Sequence, residues 1–316
     1  MDLDAYFSEN PMGGPGDDVE EGFRSGFVAL VGRPNAGKST LMNKVVGSKV
    51  AITSRTSQTT RQRIRAVLNG EGYQLVLVDT PGLHKPKDVL GEELNASATK
   101  ALDDVDVVAM LVDCTQPIGR GDEWVAAQVA KCKARRICVL SKADLATPEQ
   151  VEAQRASAER LGEWDAMVLL SAKTGRNVDA FVEECVFLLP VGPRWFPADM
   201  LSDQTDESMV AELVREKVLR SFRDEVPHSV GVKVDSMEYV RKKQLYRIEA
   251  TVLTERDSQK AMLIGKGGRA IKRIGSQARS ELETMFGARV YLELSVKVKK
   301  NWRSDEAQLR AFGYME

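Results

Sequence analysis

Between residues 27 and 171 short apolar runs alternate with amphipathic stretches of helical length. The runs are FVALVG (27–32), IRAVLN (64–69), LVLVD (75–79), VVAMLV (107–112), ICVLS (137–141) and MVLLS (167–171). Valine- and leucine-rich runs this short, spaced by helices, predict a mostly parallel sheet wrapped on both faces, an α/β domain. Functional residues should then gather in loops at the carboxyl ends of the strands. The pattern breaks at LPVGPRWFPADM (189–200), where three prolines and a glycine argue for a linker. Beyond it the order changes: a helix over 206–222 with Asp206 as its cap, strands in HSVGVKVDSM and QLYRIEATVLT, a short helix, a glycine loop, a helix from 269 to about 286, and a strand in ARVYLELSVKVK. This is α-β-β-α-α-β, a smaller α+β domain. The expected organisation is therefore a tail over 1–25, a first domain over 26–190, a linker over 191–205 and a second domain over 206–316.

The chain has 316 residues, long for one core and sufficient for two. The start, MDLDAYFSENPMGGPGDDVEEGFRSG, is acidic and glycine-rich and lacks the basic and apolar regions of a signal peptide; it reads as a disordered tail. No apolar run reaches the length of a membrane span. Cys114, Cys132, Cys138 and Cys185 form no CxxC pair and read for the most part as buried free thiols, which makes the cytoplasm the expected compartment. The net charge of −1 conceals an asymmetry: residues 1–200 hold 23 Lys and Arg against 28 Asp and Glu, residues 201–316 hold 22 against 18. Over 256–280 seven basic residues face only Asp257, so an anionic partner is expected for that surface alone.

Two glycine-lysine loops carry the chemistry. GRPNAGKS (32–39) fits G-x-x-x-x-G-K-[ST] and falls between an apolar strand and the helix STLMNKVVG. Gly32, Arg33, Pro34, Asn35, Ala36 and Gly37 would wrap a phosphate chain with inward N–H groups, Lys38 would reach the β- and γ-phosphates, and the Ser39 hydroxyl, followed by Thr40, would hold Mg²⁺. DTPG (Asp79, Thr80, Pro81, Gly82) ends a strand: Asp79 can reach the magnesium through water, and the Gly82 N–H can sense the γ-phosphate. SKAD (141–144) ends another, and the Asp144 carboxylate accepts from both guanine ring N–H and exocyclic amine, a donor pair that adenine lacks. SAK (Ser171, Ala172, Lys173) ends the last and can offer a backbone N–H to guanine O6. Together these predict a P-loop GTPase with GTP and GDP as ligands.

The second loop, IGKGGRAIKRIG (264–275), follows a helix and has no Ser or Thr after its lysine. It fits G-x-x-G, the clamp of a KH module for single-stranded nucleic acid. Gly265, Gly267 and Gly268 allow close backbone approach, and Lys266, Arg269, Lys272 and Arg273 surround it with charge. Ile264, Ile271 and Ile274 are expected to form an apolar edge for bases.

At these residues the chain resembles the Era family of translation-factor-related GTPases, over about residues 26 to 316. ITSRTSQTTR (52–61) looks like that family's first switch, in which Thr59 or Thr60 completes the magnesium shell, Thr60 being favoured. DTPGLHKPK and the second domain, a type II KH fold at this end in the family, strengthen the match. The resemblance implies binding of the 3′ end of 16S rRNA and a part in maturation of the 30S subunit, by a chain expected to act as a monomer. It also implies a K⁺ beside the phosphates at Asn35, though an asparagine stabilising its own loop is the other reading. Peripheral contact with the inner membrane is linked to the family, but no amphipathic anchor strong enough for it stands in the sequence. Leu83, after Gly82, cannot orient water, so intrinsic hydrolysis should be slow. Lys38, Thr60, Gly82 and Asn35 are the residues expected to serve catalysis. One departure is Ser141, where the family usually has asparagine. Asn ties the base loop to the phosphate loop; a serine is shorter, which predicts affinity weaker by about 1 kcal/mol, the scale of one hydrogen bond. Lys142 should lay its stem over the base. An RNA-binding module with a degenerate GTPase half is the competing reading, and a membrane-associated signalling GTPase a third. Trp302 suits either base stacking or core closure.

Overall fold

The computed structural model describes residues 22–316 except 55, 57, 58, 62, 81–89, 93, 95–98, 100, 101, 103, 223, 224, 313, 315 and 316. Two compact units emerge, each with its own core. The first contains residues 60–86 and 94–204 together with those up to Ala51; the second contains 205–316 and also the segments 52–59 and 87–93.

In the first unit the strands are β1 (Arg24–Gly32), β2 (Ile64–Gly70), β3 (Tyr73–Asp79), β4 (Val107–Asp113), β5 (Arg135–Ser141) and β6 (Ala166–Leu169), and the helices α1 (Lys38–Val46), α2 (Arg120–Val129), α3 (Pro148–Glu159) and α4 (Val178–Leu188). The sheet order is β2-β3-β1-β4-β5-β6. Only the β2–β3 hairpin pairs antiparallel; every other neighbour is parallel. The run-and-helix alternation is the cause: strands buried on both faces are apolar throughout. One face packs Leu41, Met42 and Val45 of α1 and Phe181 and Cys185 of α4; the other packs Val125, Ala126 and Val129 of α2 and Ala158 of α3. The order reverses about β1, so the loops after β1 and β4 open at a topological switch point.

Residues 191–204, whose prolines suggested a linker, lie along the β2 edge of this sheet. The Trp195 and Phe196 amides donate to Gln74 Oε1 at 2.7 and 3.0 Å, and Gln74 Nε2 donates to the Phe196 carbonyl at 2.8 Å. The Val67 amide donates to the Leu201 carbonyl and the Asp203 amide to the Arg65 carbonyl. Phe196 is buried against Val67 and Val76.

The second unit comprises α5 (Asp206–Ser221), a one-turn α6 (Val226–Ser229), β7 (Gly231–Val240), β8 (Leu245–Thr254), α7 (Asp257–Ile264), α8 (Arg269–Phe286), β9 (Arg289–Val298) and α9 (Glu306–Ala311). β7 runs antiparallel and β9 parallel to the central β8, giving the expected α-β-β-α-α-β order of a type II KH fold. Three expectations are corrected in detail. The cap of α5 is Thr205, whose hydroxyl accepts from the Ser208 amide at 3.2 Å, and Asp206 becomes the first helical residue. The strand expected from 228 begins at 231, because Pro227 takes an early position in the α6 turn, where a missing N–H costs nothing. Ile274 is not at a groove edge: it is fully buried with Ala278, Val252 and Leu263, on the inward i, i+4 stripe of α8.

Candidate functional site

The loop Gly32–Ser39 runs from β1 into α1 with backbone angles that demand its glycines. Gly32 has φ 145° and a Cβ there would stand 2.6 Å from the Leu111 carbonyl; Gly37 has φ 105° and Asn35 φ 65°. Ala36 is buried and its amide donates to the Arg33 carbonyl at 3.2 Å, which folds the loop on itself. Pro34 and Thr40 are half-buried and Asn35 is exposed. Arg33 turns to α2, donating to Asp122 Oδ2 at 3.0 Å. Lys38 is buried, and its Nζ donates to the Gly32 and Arg33 carbonyls at 3.2 and 3.4 Å. Burial pushes the Lys38 ammonium below its ordinary pKa, against the pull of Asp79. A polyphosphate on this loop would supply the negative charge that the lysine lacks.

Three oxygens meet beside it. Ser39 Oγ donates to Asp79 Oδ2 at 2.6 Å, Thr60 Oγ1 donates to the same oxygen at 3.0 Å, and the two hydroxyls are 3.0 Å apart. Asp79 is wholly buried, and its second oxygen, Oδ1, has no hydrogen-bond partner among the described residues. Burial raises the Asp79 carboxyl above the usual range despite Lys38, Ser39 and Thr60. A compact set of hard oxygens around an under-compensated carboxylate suits Mg²⁺. Thr59 stands apart from it: its hydroxyl bonds with Ser54 Oγ at 2.8 Å and donates to the Thr56 carbonyl at 2.7 Å. Thr80 is also set aside, its hydroxyl donating to the Leu30 carbonyl at 3.1 Å inside the core. Pro81, Gly82, Leu83 and His84 lie outside the described residues.

The third group gathers from the ends of β5 and β6. Ser141 is buried with its Oγ 2.8 Å from the Ala36 carbonyl and 3.1 Å from that of Val112. The hydroxyl therefore makes the tie between base loop and phosphate loop that the sequence suggested a serine would forfeit; it reaches because β5 ends directly behind Ala36. Lys142 adopts φ 60° and donates to Asp113 Oδ2 at 2.5 Å, which fixes the course of its alkyl stem. Burial works to raise the Asp113 carboxyl, but hydrogen bonds from Lys142 and Thr115 outweigh it and hold it below its ordinary value. Asp144 is exposed, with Oδ1 accepting from the buried Ser171 hydroxyl at 2.6 Å. The Ser171 amide is engaged by the Arg176 carbonyl, so any amide from this loop to a base comes from Ala172 or Lys173. Sequence reasoning missed Asp113 and Asp122. Asp113 was findable, since it ends β4 in register with Ser141; Asp122 reads as an ordinary first-turn acid, and nothing local pairs it with Arg33.

In the second unit the loop Gly265–Gly268 joins α7 to α8. Gly265, Gly267 and Gly268 have φ of 69°, 61° and 76°. A Cβ on Gly265 would meet Ala270 Cβ at 2.8 Å and its amide nitrogen at 3.1 Å, so the two helices close up only over glycine. Lys266, Arg269, Lys272 and Arg273 are exposed and Ile264 half-buried. The amino-terminal end of α8 follows directly on the loop, a favourable end for phosphate. Arg273 also lines a groove of about 810 Å³ with Lys217, Arg220 and Gln277. Trp302 closes the core: it is fully buried against Phe312 and Tyr314, which stack on each other, and donates to the Ser229 carbonyl at 2.9 Å.

Comparison with known proteins finds matches for both units. Residues 27–142 match the family described as 50S ribosome-binding GTPase, and residues 225–303 match the KH domain. The GTPase Era of Staphylococcus haemolyticus (strain JCSC1435) is 41% identical over 293 residues, which span 93% of this chain and 98% of that protein. A crystal structure of a single-substitution variant of Aquifex aeolicus Era bound to GDP and AlF₄⁻ superposes with a TM-score of 0.89 at 36% identity, covering 93% of this chain and all of that one. Another, of Era in complex with MgGDPNP and nucleotides 1506–1542 of 16S ribosomal RNA, gives 0.90 at 36% identity with the same coverage. A GTPase unit with a KH domain behind it, matched over nearly its whole length, establishes that this chain belongs to the Era family of GTPases.

Proposed function

We propose that this GTPase is a molecular switch that binds the single-stranded 3′ end of 16S rRNA through its KH loop and assists maturation of the 30S subunit. The observation that carries the nucleotide half is the meeting of Ser39, Thr60 and Asp79, with Asp79 Oδ1 buried and unsatisfied among the described residues. These three would hold Mg²⁺, which when bound neutralises charge on the β- and γ-phosphate oxygens. Lys38 would exchange the Gly32 and Arg33 carbonyls for the phosphates. Asp144, oriented by Ser171, would accept the two guanine N–H groups, and Lys142, held by Asp113, would cover the ring. The Gly82 amide would read the γ-phosphate. Thr60 rather than Thr59 serves the metal in this reading, because the Thr59 hydroxyl is spent on Ser54 and Thr56. Asn35, exposed on the loop with φ 65°, would ligate a K⁺ beside the phosphates. Turnover is slow because Leu83 cannot orient water.

The RNA half is supported by the glycine geometry and by the relative whose complex contains nucleotides 1506–1542 of 16S rRNA. Lys266, Arg269 and Lys272 would meet the backbone phosphates while bases lie along Ile264. Work on the 30S subunit places the protein in the cytoplasm. No described helix is long and apolar enough to cross a membrane, and peripheral contact with the inner membrane is not needed for this role. The test is the affinity for an oligoribonucleotide of the 16S 3′ end in GDP and in a non-hydrolysable GTP analogue. The analogue is expected to change it at least about fivefold, within the usual range of coupling between two sites; equal affinities would defeat the switch.

A further inference from the structure

We propose that Asp113, aimed by Gln154 of α3, is a positioning residue for guanine binding that acts through Lys142; the proposal rests on the reading of Lys142 as the cover of the base given above. Every group involved belongs to the first unit. Asp113 ends β4 in register with Ser141 at the end of β5, so Lys142 is the next residue along the neighbouring strand. Its Nζ donates to Asp113 Oδ2 at 2.5 Å. The Lys142 backbone, at φ 60°, lies in a region that side chains other than glycine rarely adopt, and such a conformation persists where its surroundings hold it. Here the Leu145 amide donates to the Lys142 carbonyl at 3.0 Å and the Ala143 amide to the Leu170 carbonyl at 3.1 Å, while Asp113 holds the far end of the side chain.

The carboxylate is itself placed. Its other oxygen, Oδ1, accepts from the Thr115 amide at 2.9 Å and from the Thr115 hydroxyl at 2.6 Å, which turns the chain directly after β4. Behind the turn stands Gln154, buried on α3 although glutamine on a helix ordinarily faces water. Its Nε2 donates to the Asp113 carbonyl at 2.9 Å and to the Gln116 carbonyl at 2.6 Å, so one amide brackets both ends of the turn. The Cys114 amide donates to the Ser141 carbonyl at 3.0 Å, tying the same turn to β5. Both Asp113 oxygens are engaged by donors of the protein, which makes the residue a support for Lys142 rather than a ligand of the base.

The consequence is entropic. Lysine has a flexible four-carbon stem, and a loose stem must give up its rotamers each time a base arrives. Held by its backbone at one end and by Asp113 at the other, the Lys142 stem is set before the nucleotide binds, and its methylenes offer a fixed apolar face. The stem covers the face of the ring, whereas Asp144 reads its edge. The two contributions therefore separate: Asp113 governs how tightly a purine is held, and Asp144 governs which edge is accepted. An effect of this kind falls on release more than on capture.

The test uses the full-length protein with D113A, D113N, Q154M, K142A and the double variant D113A/K142A. Readouts are the affinity and release rate of a fluorescent GDP analogue, and its displacement by GDPNP and by inosine diphosphate, which lacks the exocyclic amine. D113A is expected to lower GDP affinity about five- to tenfold, chiefly through faster release. GDPNP and inosine diphosphate should weaken by the same factor, leaving the preference for GDP over inosine diphosphate within about twofold; a collapsed base loop would move Asp144 and erode that preference. D113N, which keeps the shape but offers Lys142 no charge, is expected to lose about threefold. Q154M, which removes the bracket without touching Lys142, is expected to lose about two- to threefold in the same direction. With K142A already in place, D113A should cost less than about twofold, the mark of two residues acting as one. Thermal unfolding reports whether each variant is folded; if D113A is not, D113N decides by the same criteria, in the presence and absence of K142A. Equal losses with and without K142A, or GDP affinity within twofold of wild type in the folded Asp113 variants, would overturn the proposal. A K142A protein that binds GDP as wild type does would instead overturn the reading of Lys142, and the role of Asp113 with it.

Discussion

Replacing Ser141 by alanine tests whether a serine suffices where asparagine was expected. The Ser141 hydroxyl is buried, and its oxygen stands 2.8 Å from the Ala36 carbonyl. Removing it deletes one hydrogen bond and strips a buried carbonyl of its donor, together about 1–2 kcal/mol of fold stability. For a unit of this size that corresponds to a fall in Tm of about 2–8 °C. The tie joins two protein groups rather than protein to nucleotide, so it reaches affinity through preorganisation of the phosphate loop. If all of a 1 kcal/mol loss had to be restored on binding, GDP affinity would fall about fivefold, at 1.4 kcal/mol per decade. The expected range is therefore about three- to fivefold, read by displacement of a fluorescent GDP analogue, alongside the thermal shift. Ser141→Asn should gain less than about threefold, since the bond it would add is already made. If Ser141→Ala left both Tm and affinity unchanged while Ser141→Asn tightened binding tenfold, the hydroxyl would not be the tie.

Asp144→Asn should reverse preference from guanosine to xanthosine nucleotides by at least about tenfold in a competition assay, because the amide donates where the carboxylate accepted. Gly265→Ala, which places Cβ 2.8 Å from Ala270 Cβ at φ 69°, should abolish oligoribonucleotide capture by gel shift at micromolar protein while GDP affinity stays within twofold. Burial pushes Cys114 up to about 11 and Cys138 up to about 12, and raises Cys185 as well. A thiol of pKa 11 is about 0.1% thiolate at pH 8, so in native protein at that pH only the half-buried Cys132 should react quickly with a chromogenic disulfide. Four fast thiols would contradict this packing. Raising the pH toward 11 should bring Cys114 into reaction before Cys138.

Much of the fold was written in periodicity. The strands between 27 and 171 are apolar because both faces are covered, and the glycine loops fall where strand meets helix and helix meets helix. The misplaced details have local causes. Thr205 and Asp206 both cap helices, and only the hydrogen bond to the Ser208 amide chooses between them. Ile274 carried its own signal, since Ile274, Ala278 and Leu282 recur at the i, i+4 spacing of an inward stripe. The prolines of 189–200 report a break in regular structure, but they are silent on the long-range partner, Gln74, that holds the stretch in place. The Ser141 contact was not legible from side-chain length alone; its reach depends on how close β5 brings it to Ala36, a tertiary distance. The buried Arg215 and Glu216 were illegible for a related reason, because charged residues spaced along an amphipathic helix read as its solvated face.

The stretch 191–204 has a consequence for anyone wishing to isolate the nucleotide-binding half. β2 is an outermost strand, and the Val67 amide and Arg65 carbonyl that it would otherwise leave unpaired are matched by Leu201 and Asp203. Bare strand margins recruit other chains. A fragment cut after Leu189 would present that margin together with the uncovered Val67 and Val76, and would self-associate. Extending it to Gln204 keeps the selvedge sewn.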